Sequence, residues 1–252
     1  MIVPLPAFKD NYIWALRVGP RVVVVDPGDA QPVRDYLSDQ GLLLTAILIT
    51  HHHKDHVGGL LELKNEHDVP VYGPKHEPIE GITHPLVEGD EVQIAELGLH
   101  FGVLDIPGHT RAHIAYYGNG LLFCGDTLFA CGCGRLFEGT AQQMYASLSK
   151  LAALPGDTRV FCAHEYTMAN IEFALAVEPN NAALQARAQR DAGKRAAGKP
   201  TVPSTIQDEK ATNPFLRASE PAVIAAVQSQ RDLRSTDPIE IFAAIRQWKN
   251  EF

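Results

Sequence analysis

The feature that most narrows what this chain can fold into is the run His51-His52-His53-Lys54-Asp55-His56, directly behind the apolar stretch TAILIT. Histidine and carboxylate are the ligands that borderline divalent metals select. In an extended segment, side chains at i and i+2 point the same way, so His51 and His53 can grip one ion. Asp55 and His56 lie around a bend and can reach a second. Gly58-Gly59 is expected to let the backbone turn tightly into a helix. The plain alternative is a solvated polar loop, but this run is internal and follows a strand with no polar face.

The surrounding segments supply a scaffold. RVVVVDPGD is a β-branched strand closed by Asp26-Pro27-Gly28, and GLHFGVLDIP, GLLFCGD and TRVFCAHE are further apolar runs. Residues 32–41, 58–67 and 141–154 carry helical spacing. Strands interleaved with helices predict an α/β domain. From about residue 167 the strand-like runs stop. EFALAVEPNNAALQARAQRDAG reads as a helix, a Pro-Asn break and a second helix, and GKPTVPST as a connector. Asp237 is a good N-cap for a final helix, with Pro238 in the first turn and Glu240 completing a capping-box pattern. Ile241, Phe242, Ile245 and Trp248 form its apolar stripe. Arg246 and Lys249, at i and i+3, fall together on another face. Taken alone, such a pair reads as a solvated helix face.

Three of the apolar runs end in further ligand-type residues: His109 in PGHT, Asp126 in CGDT, and His164 in AHEY. One histidine near a strand end is usually surface or a satisfied core group. The joint pattern of strand ends is what indicates a two-metal site. Composition agrees. Of 252 residues 45% are apolar and 21% charged, which suits a folded chain with a sizeable core. The net charge of −8 argues against a general nucleic-acid binder. Residues 1–165 hold 11 Lys+Arg against 20 Asp+Glu, while 166–252 hold 11 against 10. A multivalent cation in the first part and an anion near the second would suit that division, although charge alone reads as surface variation. No apolar run reaches membrane-spanning length, and MIVPLPAFKDNY lacks the basic start of a signal peptide. Four cysteines are too few for a disulfide scaffold, so a cytoplasmic location is expected.

The stretches THHHKDHVGG, PGHT, FCGDTLF, GCGRLFEGT, AHEYT, VEPNNAAL, PTVPST and NPFLR resemble the metallo-β-lactamase superfamily. The likeness is closest to its glyoxalase II branch, the hydroxyacylglutathione hydrolases, and covers nearly the whole chain in order. The metal motif indicates only the superfamily; GCGRLFEGT, AHEYT and the C-terminal helices indicate the branch. The resemblance implies an αββα sandwich over residues 1–166 and a helical substrate-binding domain over 167–252.

It further implies that His51, His53 and His109 bind one metal, that Asp55, His56 and His164 bind a second, and that Asp126 bridges both together with a hydroxide. Asp55 and Asp126 are the catalytic carboxylates on this reading. Two divalent ions are implied, zinc first, with iron or manganese also compatible. The implied reaction is hydrolysis of S-(2-hydroxyacyl)glutathione, typically S-D-lactoylglutathione, to a hydroxy acid and glutathione, the second step of methylglyoxal detoxification. Attack would come from the bridging hydroxide. Arg135, Phe137, Tyr166, Arg246 and Lys249 are the implied substrate-binding positions. Position 135 is Arg where many relatives carry Lys, and Phe137 lacks the hydroxyl of the Tyr found in some. Arg111-Ala112 replaces the small residues frequent after the histidine ligand. The expected partner is the small thioester alone, with no nucleic acid or membrane, and the chain is expected to be a monomer.

His52 and Lys54 should point away from the metals, and His113 should support a ligand rather than be one. His67, His76, His84 and His100 read as surface. Cys131 and Cys133 read as loop residues, and Cys124 and Cys162 as buried strand thiols. Two other readings compete. A persulfide dioxygenase with one iron would share the first histidines but lack the basic C-terminal helices. An inactive binding module would have lost ligands, and none of the seven is missing.

Overall fold

The computed structural model describes residues 1–252. Its packing divides the chain into two compact units: Met1–Ile106 with Thr110–Gly125, and Pro107–His109 with Asp126–Phe252.

The first unit holds two sheets. Six strands pair in chain order: β1 (Ile2–Ala7), β2 (Asn11–Val18), β3 (Arg21–Val25), β4 (Leu43–Leu48), β5 (Val71–Pro74) and β6 (His84–Leu86). β1 to β3 are antiparallel, and β3 to β6 are parallel. Val22 to Val25 are all buried, as a run of β-branched residues predicts for a strand covered on both faces. Val22, Val24, Ile47 and Ile49 join one core cluster with Val33 and Leu37 of α1 (Ala30–Gln40). The short helix α2 (Lys54–Val57) precedes α3 (Leu60–His67), whose Leu60 and Leu63 complete that cluster.

The second sheet of this unit is an antiparallel run of β7 (Glu91–Ile94), β8 (Leu99–Asp105), β9 (Ile114–Gly118) and β10 (Leu121–Gly125). Tyr116 of β9 is fully buried, and its hydroxyl reaches the carbonyls of Ile49 (2.8 Å) and Tyr72 (3.1 Å) behind β4 and in β5. Ile114 N–H donates to Thr50 O at 3.0 Å, so the end of β4 is held by β9.

The second unit carries a short hairpin, β11 (Leu128–Phe129) with β12 (Gly132–Cys133), and an antiparallel pair, β13 (Arg159–Cys162) with β14 (Ser204–Thr205). Its helices are α4 (Ala141–Ala152), α5 (Thr167–Val177), α6 (Ala182–Ala196), α7 (Ile206–Thr212), α8 (Pro221–Arg231) and α9 (Pro238–Glu251). Phe215 packs against Phe173 (6.1 Å) and Phe242 (5.8 Å), and Trp248 meets Phe173 edge-on.

Three local expectations are corrected. The last third is not strand-free, because the connector PTVPST supplies β14 to pair with β13. Cys133 is a strand residue of the β11–β12 hairpin, and Cys131 sits at its turn with φ +55°. Asp237 caps α9 as expected, accepting from Ile239 N (2.7 Å) and Glu240 N (3.2 Å), but its own N–H donates to Ser235 Oγ rather than to Glu240. A complete capping box exists elsewhere, between Thr140 and Gln143 at the start of α4. No helix is long and apolar enough to cross a membrane.

Candidate metal centre

In the first unit, Asp26 organises the histidine run. It follows β3 with φ +53° and is buried. Its Oδ1 accepts from Thr50 N (2.8 Å), and its Oδ2 accepts from Thr50 Oγ1 (2.7 Å) and His56 Nδ1 (3.1 Å). Thr50 Oγ1, already donating to Asp26, accepts from His51 Nδ1 at 3.0 Å. The Nδ1 proton of both histidines is thereby fixed, leaving Nε2 as the basic nitrogen of each. His51 Nε2 then lies 3.2 Å from His53 Nδ1, and His56 Nε2 lies 3.5 Å from Asp55 Oδ2. Asp26, His51 and His56 hold donor atoms within 4.8 Å of one another. The hydrogen bonds above account for that closeness, so Asp26 is a support and not a ligand.

Around this core, Asn11 Nδ2 donates to Asp55 Oδ2 at 3.0 Å. His113 stacks on His51 with ring centres 4.5 Å apart, and its Nδ1 donates to Ile114 O. Lys54 is exposed, and His52 is tied to Glu77. His67, His76, His84 and His100 are exposed. The two glycines behind the run act through space rather than a turn. Gly58 has φ −60° and Gly59 φ −90°, which any residue adopts. A Cβ would lie 2.4 Å from Gly28 O at Gly58 and 2.4 Å from Ala30 N at Gly59, where no side chain fits.

The second unit brings His109, Asp126 and His164 together. Asp126 Oδ2 lies 3.3 Å from His109 Nε2, and Oδ1 lies 3.3 Å from His164 Nε2. His109 Nδ1 donates to Arg135 O at 2.9 Å, so its Nε2 carries the lone pair. That nitrogen and a carboxylate oxygen thus face each other as two acceptors, an arrangement that a cation held between them resolves. The donor set of neutral imidazole and carboxylate fits a borderline divalent metal, and one oxygen per histidine fits a bridging carboxylate. At Gly134 a Cβ would fall 1.9 Å from Asp126 O, so only glycine lets this loop pass.

A buried polar network fixes the segment that follows Asp126. Asn213 Nδ2 donates to Phe129 O (3.2 Å) and Gly132 O (2.9 Å), and Cys131 N donates to Glu209 Oε2 (2.9 Å). Arg187 pairs with Glu209 at 2.7 Å, both fully buried. All four thiols are buried, and burial pushes those of Cys131 and Cys162 up to about 12, which leaves them unreactive near neutrality.

The expected substrate contacts fall in three settings. Phe137 is 63% exposed, with its ring edge-on to His109 at 5.3 Å. Arg135 is also exposed, and it is its carbonyl that orients His109. Tyr166 lies flat on His164, with ring centres 4.6 Å apart and planes 5° from parallel. Arg246 is not on a solvated face: it is buried, donates to Cys133 O (2.9 Å) and lies over Phe215 at 5.0 Å. Lys249 is half-buried, with Nζ donating to Ala169 O and lying 5.0 Å from the Phe173 ring. Burial first, then the Arg246 charge, push its ammonium down to about 8.

Asp26, Asn11 and Glu77 are the residues that sequence reasoning missed. Asp26 had one signal, an acid closing a strand buried on both faces. The other two had none.

Residues 8–164 match the model of the metallo-beta-lactamase superfamily, and residues 165–252 match that of the hydroxyacylglutathione hydrolase C-terminus. The hydroxyacylglutathione hydrolase of Nitrosomonas eutropha is 54% identical over 251 residues, covering 100% of this chain and 98% of its own. That of Alkalilimnicola ehrlichii is 55% identical over 252 residues, covering 99% and 98%. Among solved structures, ETHE1 from Myxococcus xanthus aligns with a TM-score of 0.67 at 25% identity, over 99% of this chain and 98% of that one. TTHA1623 in a di-iron-bound form aligns with a TM-score of 0.54 at 31% identity, over 65% and 91%. These matches show the metallo-β-lactamase fold with a C-terminal helical domain. The chain belongs to the hydroxyacylglutathione hydrolase family of the metallo-β-lactamase superfamily.

Proposed function

We propose that this chain hydrolyses S-(2-hydroxyacyl)glutathione thioesters to a 2-hydroxy acid and glutathione, with S-D-lactoylglutathione as its typical substrate. The observation that carries the reading is Asp126, whose two oxygens each face a histidine Nε2, in a chain related end to end to hydroxyacylglutathione hydrolases. His51, His53 and His109 hold one divalent cation, Asp55, His56 and His164 hold a second, and Asp126 serves both. Zinc is the metal best suited to five imidazoles and two carboxylates, and iron and manganese are the competitors. Bound there, two cations supply Lewis acidity and lower the pKa of water towards about 7.

The protein's own groups do the rest. Asp26, through Thr50 and directly, keeps the basic nitrogens of His51 and His56 turned to the site. Arg135 O does the same for His109. The leaving thiolate has a solution pKa near about 8.5, so it departs without a strong general acid. Phe137 and Tyr166, each against a ligand histidine, offer apolar walls for the thioester, and Arg135 and Lys249 offer charge to the two carboxylates of glutathione. Arg246 holds Cys133 O and thereby the wall of that site. Residues 1–166 form the catalytic domain on this reading and 167–252 the substrate-binding domain. The enzyme is read as a zinc-dependent cytoplasmic monomer; four thiols and no cystine suit a reducing compartment.

Purified protein should cleave S-D-lactoylglutathione and hold close to two metal equivalents by elemental analysis. Chelation should abolish the activity, and zinc should restore it. Metal-replete protein with no thioesterase activity would refute the reading.

Lys249 gives a pH test. The folded chain loses this ammonium near pH 8, whereas an unfolded chain keeps it to its ordinary value of 10.5. Between those values the unfolded state binds more protons, so the contribution of Lys249 to stability rises with pH through that window. Attraction for an anionic substrate moves the other way and is lost above about pH 8. The wild-type kcat/KM should therefore fall above pH 8 with an inflection that Lys249→Met lacks, and this variant should show a raised KM at neutral pH. An inflection that persists in Lys249→Met would remove the residue from substrate binding.

A further inference from the structure

Glu77 lies in the turn after β5, far in sequence from every ligand, yet its side chain is only 3% exposed. Its two oxygens are divided between two loops. Oε2 accepts from the backbone N–H of His52 at 2.6 Å and from His52 Nδ1 at 2.8 Å. Oε1 accepts from Thr110 Oγ1 and from Ala112 N, the latter at 3.3 Å. An ionised carboxylate offers about four acceptor positions, and four donors fill them here. Bonds to a charged acceptor in a buried setting are shorter and stronger than neutral ones. His52 sits between His51 and His53, and Thr110 is bonded to His109.

We propose that Glu77 is a positioning residue that fixes the spacing between the loop bearing His51 and His53 and the loop that follows His109, and so sets the affinity of the first cation. The proposal rests on the ligand assignment made above. It also gives His52 a use. This residue alternates with the ligands, and Glu77 holds it by one bond to its backbone N–H and one to its ring, which keeps the ring turned away from the neighbouring histidines.

Glu77→Gln is the informative change. It preserves shape but replaces one oxygen with an NH2 group. Whichever way the amide turns, the backbone N–H of one loop, His52 N or Ala112 N, then faces another donor, so one half of the clamp is weakened and not the other. Supports of this kind typically change metal affinity by about 10–100-fold.

The test is zinc release from the two-zinc wild-type protein and from Glu77→Gln, each titrated with a chromophoric chelator well below its Tm. One zinc equivalent should be lost from the variant at about 10–100-fold lower chelator strength. Activity at limiting zinc should fall through kcat, with KM for the thioester unchanged. A purely structural carboxylate would instead lower the Tm and leave the zinc affinity of the folded protein as it was, and that result would overturn the proposal. If Glu77→Gln does not fold, His52→Ala removes a ring that is 24% exposed and one Oε2 donor, and should weaken one zinc by about threefold to tenfold. Unchanged zinc release in His52→Ala would then overturn it. Failure of the thioesterase reading is separable, since it appears in wild-type protein that binds zinc but leaves the thioester intact.

Discussion

Asp126→Ala should abolish thioester hydrolysis, with kcat/KM falling by about 10³-fold or more, and should weaken retention of both metals. Each carboxylate oxygen faces a different histidine nitrogen at 3.3 Å, so a single truncation removes a donor from two places at once. The lost cation binding and Lewis acidity amount to several kcal/mol, and about 4 kcal/mol corresponds to 10³ in rate. Asp126→Asn separates charge from shape. It keeps the oxygen count of one acceptor, places an NH2 against the other histidine, and should retain part of one metal equivalent. Elemental analysis of both variants, alongside their circular dichroism, checks the assignment. Two full metal equivalents and normal turnover in Asp126→Ala would show that the bridge is elsewhere.

Asp26→Ala should cost both stability and metal, although no substrate or cation is expected to touch this residue. Removing the carboxylate strands Thr50 N, Thr50 Oγ1 and His56 Nδ1, three donors in a buried setting. Orphaned groups of this kind destabilise by on the order of 3 kcal/mol in sum when relaxation is partial. Without the acceptor, the tautomers of His51 and His56 are no longer fixed, and zinc affinity should fall by about 10–100-fold. Urea denaturation of the metal-free protein reads the first effect, and chelator competition reads the second. If stability falls while zinc affinity holds, Asp26 is a core residue and nothing more.

The two halves of the site differ in how far the sequence reveals them. His51 to His56 form a local pattern, and a period of two in an extended segment is set by backbone geometry alone. His109, Asp126 and His164 were legible only jointly, because each stands alone behind a short or alternating apolar run. The partners of Asp26 and Glu77 could not be read from the sequence because they lie 24 to 35 residues away, and a hydrogen bond between distant segments leaves no periodic trace. Arg246 shows the opposite failure. Its spacing placed it with Lys249 on a polar face, but a guanidinium is flat enough to lie over Phe215 and be buried while donating to Cys133 O. Gly58 and Gly59 were correctly singled out for the wrong reason, since what they lack is room and not turning freedom.

By itself, the sequence pointed to the class of scaffold, the histidine-rich segment behind β4, and seven ligand-type residues in that segment and after three further strands. These depend on local propensity and short-range periodicity, which act before the chain folds. Only the tertiary structure decided which nitrogen of His51, His56 and His109 faces the site. That choice belongs to whichever acceptor takes the other proton: Thr50 Oγ1 for His51, Asp26 for His56 and Arg135 O for His109. Asp26 and Arg135 arrive from other segments, and Thr50, the neighbour of His51, is itself turned by its bonds to Asp26, so these nitrogens are set only once the chain has packed.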